Sequence, residues 1–225
     1  MSVLASPQPV MLTHVRSSLA LHELRAGEGR ALLLLHGLGE RTPSSAPETL
    51  AAWAGPVFGL DFAGHGASTR PGGGGYTAEI LMGDVDAALA YLGSATVVGR
   101  GLGAYVALLI AGARPTGVVG AVLCDGPGLA GGGPAPHSPV VVAPPPAAVA
   151  ADDPDPYALV ELARDVRPED YATTYARQAL QFSGRDTPIA IAAIVRPPWL
   201  AAVATEPGVV SEPLAEALAR FAAMP

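Results

Sequence analysis

The sequence predicts an α/β fold, a mostly parallel sheet flanked by helices on both faces. Three observations predict it. Short apolar runs without alternation, at residues 31–35, 57–62, 95–99 and 117–124, suit strands that are buried on both faces. The segments between several of them carry apolar residues at helical spacing. Strands and helices then alternate from residue 31 to 124, which short right-handed crossovers turn into a parallel sheet.

The elements follow in order. Residues 12–24 alternate loosely and read as two strands, closed by the turn Gly27-Glu28-Gly29 before the buried strand 31–35. A loop and a short helix at 47–53 lead to the strand at 57–62. After Pro71-Gly72-Gly73-Gly74-Gly75, Thr77 can cap a helix whose stripe is Leu81, Val85, Ala88, Leu89 and Leu92, with Glu79 favourably placed in its first turn. Strand 95–99, helix 102–113 and strand 117–124 complete the regular part. Residues 126–156 then break the pattern, with Gly131-Gly132-Gly133 and Pro144-Pro145-Pro146 in an irregular excursion. Two amphipathic helices are expected at 157–166 and 169–182, the second opened by Pro168. An apolar stretch at 189–195, a strand at 199–204 and a last helix at 212–221 close the chain.

Composition narrows the function. Of the 225 residues 50% are hydrophobic and only 15% charged, against roughly 25% charged in an ordinary soluble domain. Mean hydropathy is +0.35, yet no uninterrupted apolar run of about 18 residues exists to span a membrane. No leader pattern is visible at the N-terminus, so a cytoplasmic protein is expected. A net charge of −7 without a basic run argues against nucleic acid and anionic membranes. All 13 basic residues are Arg, and Lys and Asn are absent, a bias typical of GC-rich coding. The single cysteine, Cys124, excludes an intramolecular disulfide and Cys-rich zinc sites. Asp152, Asp153 and Asp155 alternate with prolines and read as a solvated turn rather than a metal site, and no cofactor is expected.

Three segments carry a resemblance. Leu32-Leu33-Leu34-Leu35-His36-Gly37-Leu38-Gly39, Leu60-Asp61-Phe62-Ala63-Gly64-His65-Gly66-Ala67-Ser68 and Val97-Val98-Gly99-Arg100-Gly101-Leu102-Gly103-Ala104 occur in that order. Together they resemble the α/β-hydrolase superfamily: its His-Gly loop, its Asp-x-x-Gly-His-Gly-x-Ser loop and its nucleophile elbow. The resemblance implies a single domain over residues 1–225, with 126–196 as a reduced, Gly/Pro-rich and helical cap insertion.

The elbow needs small residues around its nucleophile because strand and helix meet there at a sharp turn. Gly99, Gly103 and Ala104 meet that demand, but the nucleophile position is Gly101, which has no group to attack a carbonyl. Glycine also relieves the backbone strain of that position, about 1–3 kcal/mol for a residue with a Cβ. The family's acid, which follows the strand after the cap, falls on Gly208 if that strand is 199–204, with Glu206 merely adjacent. The family's His lies one helix and one strand further on, beyond Pro225, so the last strand is expected to be missing. Of the histidines, His36 and His65 match loop-structuring positions, His14 and His22 lie near the first strands, and His137 lies in the excursion.

These observations predict no intact catalytic residue, Gly101 being a vestigial nucleophile position; the alternative of a hydrolase with a non-standard mechanism, esterase-like, would take its nucleophile from water or the ligand. A ligand site is expected at His36, Gly37, Leu38, Arg100, Gly101 and Leu102, where the Leu38 and Leu102 amides would meet a small acyl or anionic ligand. Arg100 either adds a charged contact or covers the sheet edge. The same glycines also fit a dinucleotide fingerprint, Gly99-x-Gly101-x-x-Ala104, with Asp125 about 20 residues on as the ribose acid. That alternative, an NAD- or FAD-binding protein, leaves the His36 and His65 segments unexplained. An apolar sheet edge at 199–204 would favour a homodimer or a covering helix, and the Pro-rich residues 134–146 read as a linker or lid.

Overall fold

The structure is a computed structural model that describes residues 8–136, 150 and 153–224. His137, Asp152 and most of the Pro-rich stretch therefore lie outside the described residues.

A β-hairpin opens the fold, β1 (Val10–His14) and β2 (Ser17–Arg25), paired antiparallel. The central strands follow: β3 (Ala31–Leu35), β4 (Val57–Leu60), β5 (Ala95–Arg100) and β6 (Val118–Cys124). Two three-residue strands, β7 (Ile189–Ile191) and β8 (Val209–Ser211), complete the sheet. The spatial order is β1-β2-β4-β3-β5-β6-β7-β8, parallel from β4 onward. The fold class is the expected one.

Among the described residues six helices flank the sheet: α1 (Ala78–Leu92), α2 (Leu102–Ala113), α3 (Pro156–Arg164), α4 (Glu169–Ser183), α5 (Pro198–Val203) and α6 (Leu214–Ala222). Thr77 caps α1 as expected, its hydroxyl accepting from the Ile80 amide at 3.3 Å. α2 is buried from Leu102 to Gly112, enclosed by the sheet and by α1 and α4, so it has no polar face. That face of the sheet carries the larger core, with Tyr105, Leu108, Leu162 and Trp199. The opposite face carries a smaller one, in which Leu32, Val98 and Val122 meet Leu218 and Phe221 of α6 and Leu50.

Three expectations are corrected. The helix at 47–53 is one 3-10 turn, Glu48–Leu50; Gly55 and Pro56 follow too soon for a longer one, and a side chain at Gly55 would strike the Arg30 carbonyl. Residues 199–204 form no strand: Pro197-Pro198 sets a helix start, and the buried Trp199, Leu200 and Val203 follow helical rather than alternating spacing. The last strand is not missing either, because β7 lies at 189–191 and β8, three residues long and without a strong apolar signal, supplies the eighth position. The sheet edge on that side is thus β8 rather than an apolar strand at 199–204.

Asp155 also departs from the solvated turn expected of it. It is buried, caps α3 by accepting from the Tyr157 amide at 2.9 Å, and accepts from the Tyr76 hydroxyl at 2.7 Å. No cluster able to hold a metal ion occurs among the described residues, and no described helix is long and apolar enough to cross a membrane.

The smaller core rests on α6, whose Phe221 is fully buried against Gly120. Phe221→Ala is expected to cost about 3–5 kcal/mol. A thermal melt should then fall by roughly 6–20 °C, at about 2–4 °C per kcal/mol for a chain of this size.

Candidate functional site

The site lies where the loops after β3, β5 and β6 converge, at the carboxyl ends of the strands. Between β5 and α2 the chain turns on Gly101, with φ 60° and ψ −116°, a backbone conformation that favours glycine. The turn is as tight as the sequence implied. A side chain at Gly99 would strike the Gly103 carbonyl, and one at Gly103 the Leu35 carbonyl.

The loop after β6 decides what this turn can do. The Pro127 carbonyl accepts from the Leu38 amide at 3.0 Å and from the Leu102 amide at 2.9 Å. The two amides expected to face an open ligand site are thus brought together around one oxygen, and that oxygen belongs to the chain itself. A Cβ at Gly101 would fall on that oxygen and lie 2.6 Å from the Gly126 carbonyl carbon, so the volume of a nucleophile side chain is also filled. The Gly103 amide, next along α2, donates to the His36 carbonyl at 3.2 Å.

The Gly126–Leu129 loop is held from behind. Arg167, almost fully buried, donates from Nη1 to the Gly128 carbonyl at 2.7 Å and the Leu129 carbonyl at 2.6 Å. Its guanidinium lies 4.5 Å from the Tyr105 ring centroid, which stabilises a cation buried without a carboxylate partner. Trp199 Nε1 donates to the Leu129 carbonyl at 2.9 Å. Burial lowers the Arg167 pKa, to about 10, so it stays charged at neutral pH.

The other expected site residues are engaged in building loops. His36 donates from Nδ1 to the Gly37 carbonyl at 2.8 Å and accepts at Nε2 from the Phe62 amide at 3.1 Å. His65 accepts at Nε2 from the Gly39 amide at 3.2 Å and donates from Nδ1 to the Ala63 carbonyl at 3.2 Å. Both are therefore held neutral. Burial lowers the His36 pKa, and burial with the nearby His36 brings His65 down to about 4. His22 and His14 pair with Asp61 (3.0 Å) and Asp84 (2.8 Å). Asp61 also accepts from the Thr42 and Ala67 amides, and these bonds outweigh burial to hold its carboxyl at about 2. Gly37 packs against Glu40 and Pro127, and its amide donates to Glu40 Oε2 at 2.9 Å. Arg100 turns to Glu40, donating from Nε and Nη2 at 2.9–3.1 Å, so it covers the mouth rather than entering the elbow. Burial pushes the Cys124 thiol up to about 12, far from a reactive thiolate.

The corrected strand order moves the missing groups. The loop after β7 is Ala192-Ala193-Ile194-Val195-Arg196-Pro197, and the loop after β8 is Glu212-Pro213. The family's acid and His positions fall on these loops, not on Gly208 or beyond Pro225, and neither holds an Asp or a His. Asp125, the acid of the dinucleotide pattern, accepts from the Ile194 amide at 2.6 Å and the Val195 amide at 2.9 Å. Both of its oxygens thus tie β6 to β7, and the Leu102 amide that would meet a pyrophosphate is taken by Pro127.

The comparisons agree with the fold. The profile of the alpha/beta hydrolase family matches residues 32–225. The chain belongs to that family. Among solved structures it is similar to a hypothetical protein from Pseudomonas aeruginosa, at 19% identity and TM-score 0.63, over 96% of this chain and 99% of that one. It is also similar to the N-formylmaleamic acid deformylase of Pseudomonas putida, at 16% identity and TM-score 0.62, over 91% of each chain. A third is the thioesterase domain from the curacin biosynthetic pathway, at 15% identity and TM-score 0.62, over 96% and 97%. These likenesses are of fold. No curated protein matches the sequence.

Sequence reasoning found the two amides and missed their occupant. Gly126-Pro127-Gly128 was visible only as the start of a Gly/Pro-rich stretch, and nothing in it tells which way the Pro127 carbonyl points. Glu40 and Arg167 carried no signal, being an ordinary loop acid and an ordinary Arg before a helix.

Gly101→Ser adds strain of about 1–3 kcal/mol at a positive φ and a clash with the Pro127 carbonyl. A loss of at least about 3 kcal/mol is expected in urea melts, with no esterase activity gained. His65 sets a pH dependence. Above its ordinary 6.5 it is neutral both folded and unfolded; from there down to about 4 only the unfolded chain takes up the proton, so stability falls as the pH drops. The loss should reach about 3 kcal/mol, and Asp61 adds to it only below 3.8. Urea melts across this range on the protein and on His65→Gln should show the slope shrink in the variant.

Proposed function

We propose that this chain is a non-catalytic α/β-hydrolase-fold protein that binds a ligand without turning it over. The observation that carries the reading is the Pro127 carbonyl on the Leu38 and Leu102 amides. In this fold those donors stabilise the oxyanion of an acyl-transfer reaction, and here an internal oxygen occupies them. Gly101 supplies no nucleophile, and the loops after β7 and β8 hold no Asp or His, the one carboxylate there, Glu212, being taken by Arg220.

The absences reinforce one another. An oxyanion hole without a nucleophile can still accelerate attack by water, so removing the nucleophile alone leaves residual catalysis. Filling the hole removes that residue as well. A small acyl or anionic ligand that used these amides would first have to displace Pro127, breaking two buried hydrogen bonds worth about 1 kcal/mol each. Binding is therefore expected beside the hole rather than in it.

The test is a panel of aryl esters and thioesters with the purified protein, together with a fluorophosphonate probe. No saturable turnover and no covalent labelling are expected. Saturable turnover that is lost in Pro127→Ala or Leu102→Pro would overturn the reading.

A further inference from the structure

The face of the sheet opposite α2 holds a cavity of about 600 Å³, within the usual range for small-ligand sites. The connection from β3 to β4 runs along it and forms a single 3-10 turn there. Leu34 of β3 and Val98 of β5 are left as its floor, with Leu50 of that turn and Leu214 of α6 as walls. Pro43 and Pro47 stiffen the loop beside it. The result is an open cleft with an apolar floor and a mixed rim.

Its mouth is polar, and besides the Thr42 hydroxyl the spare donor there is cationic. Arg100 and Glu40 stand there with Asp125. Both Asp125 oxygens accept backbone amides. Both Glu40 oxygens accept from Arg100 Nε or Nη2, and one also accepts from Gly37. Among the described residues no carboxylate meets Arg100 Nη1. Each acid is thus neutralised by donors, while one arm of the guanidinium remains available to an incoming oxygen.

We propose that this cavity binds a small amphipathic carboxylate, its apolar tail between Leu34, Val98 and Leu214 and its carboxylate on Arg100. The proposal rests on the reading of the protein as a binder and supplies its ligand class. The cavity lies beside the filled oxyanion hole, on the other side of β3 and β5 from α2, so occupancy leaves the Pro127 bonds intact.

Octanoate, octanol, octylamine and butyrate are the probes, titrated into the protein by calorimetry. Octanoate is expected to bind saturably, at least about tenfold tighter than octanol, with octylamine weaker still. Each methylene removed toward butyrate should weaken binding about fourfold. Leu34→Phe, which fills the cleft from a partly exposed position, should abolish binding. Arg100→Met combined with Glu40→Gln, which leaves no bare carboxylate at the mouth, should bring octanoate down to the affinity of octanol. Thermal melts establish that both variants fold. Absence of saturable octanoate binding, equal affinity for the three head groups, or indifference to both folded variants would overturn the proposal. Ester turnover, measured separately, strikes the non-catalytic reading without touching this one.

Discussion

One carbonyl oxygen organises the centre of this molecule. Pro127 O accepts from Leu38 after β3 and from Leu102 at the start of α2, and so joins the loops after three neighbouring strands. Buried amides must be satisfied. At the N-terminus of a helix enclosed on all sides there is no water to do it, and in an acyl-transfer enzyme a substrate oxygen arrives in each cycle. Here the partner belongs to the chain itself. The Gly101 backbone, the Gly126–Gly128 turn and the Arg167 clamp are the conditions under which that oxygen can stay where it is. A side chain at 101 would collide with it, and a Cβ at Gly128 would meet Leu38 Cβ at 2.6 Å. Without Arg167 and Trp199, the Gly128 and Leu129 carbonyls would lose their donors.

The geometry changes the meaning of Gly101. Taken alone, it is a nucleophile lost and a strain relieved. With the loop after β6 in place, glycine is what the packing requires, because the space of the lost side chain has been taken up by main chain. The loops after β7 and β8 hold no Asp or His beside it. The elbow is the meeting point of β5, α2 and the loops around them.

Much of this was legible in the sequence, and the rest was not for identifiable reasons. The central strands and α2 were readable because buried parallel strands are continuous apolar runs and Gly99-x-x-x-Gly103 marks a tight turn. β8 was not, because Val209-Val210-Ser211 is too short to show a period. The helix at 198–203 was misread as a strand because six apolar residues have no clear periodicity, although Pro197-Pro198 pointed to a helix start. That error displaced the acid and His positions by one element and left out β8, the eighth strand of the sheet among the described residues. The Leu38 and Leu102 amides were found from the motifs, while their occupant depends on the orientation of a peptide plane, which no residue pattern encodes. The Arg100–Glu40 pair and the cavity beneath it were equally hidden, since they depend on the path of the β3–β4 connection.

The central claim is that the two amides are closed by an internal oxygen, and amide hydrogen exchange reads it directly. The Leu38 and Leu102 amide protons should exchange as slowly as those within β3 and β5, and should be unmoved by an aryl boronate that mimics a tetrahedral oxyanion. Rapid exchange of both, with protection or shift changes on adding the boronate, would mean that the hole is open to ligands and would contradict the account.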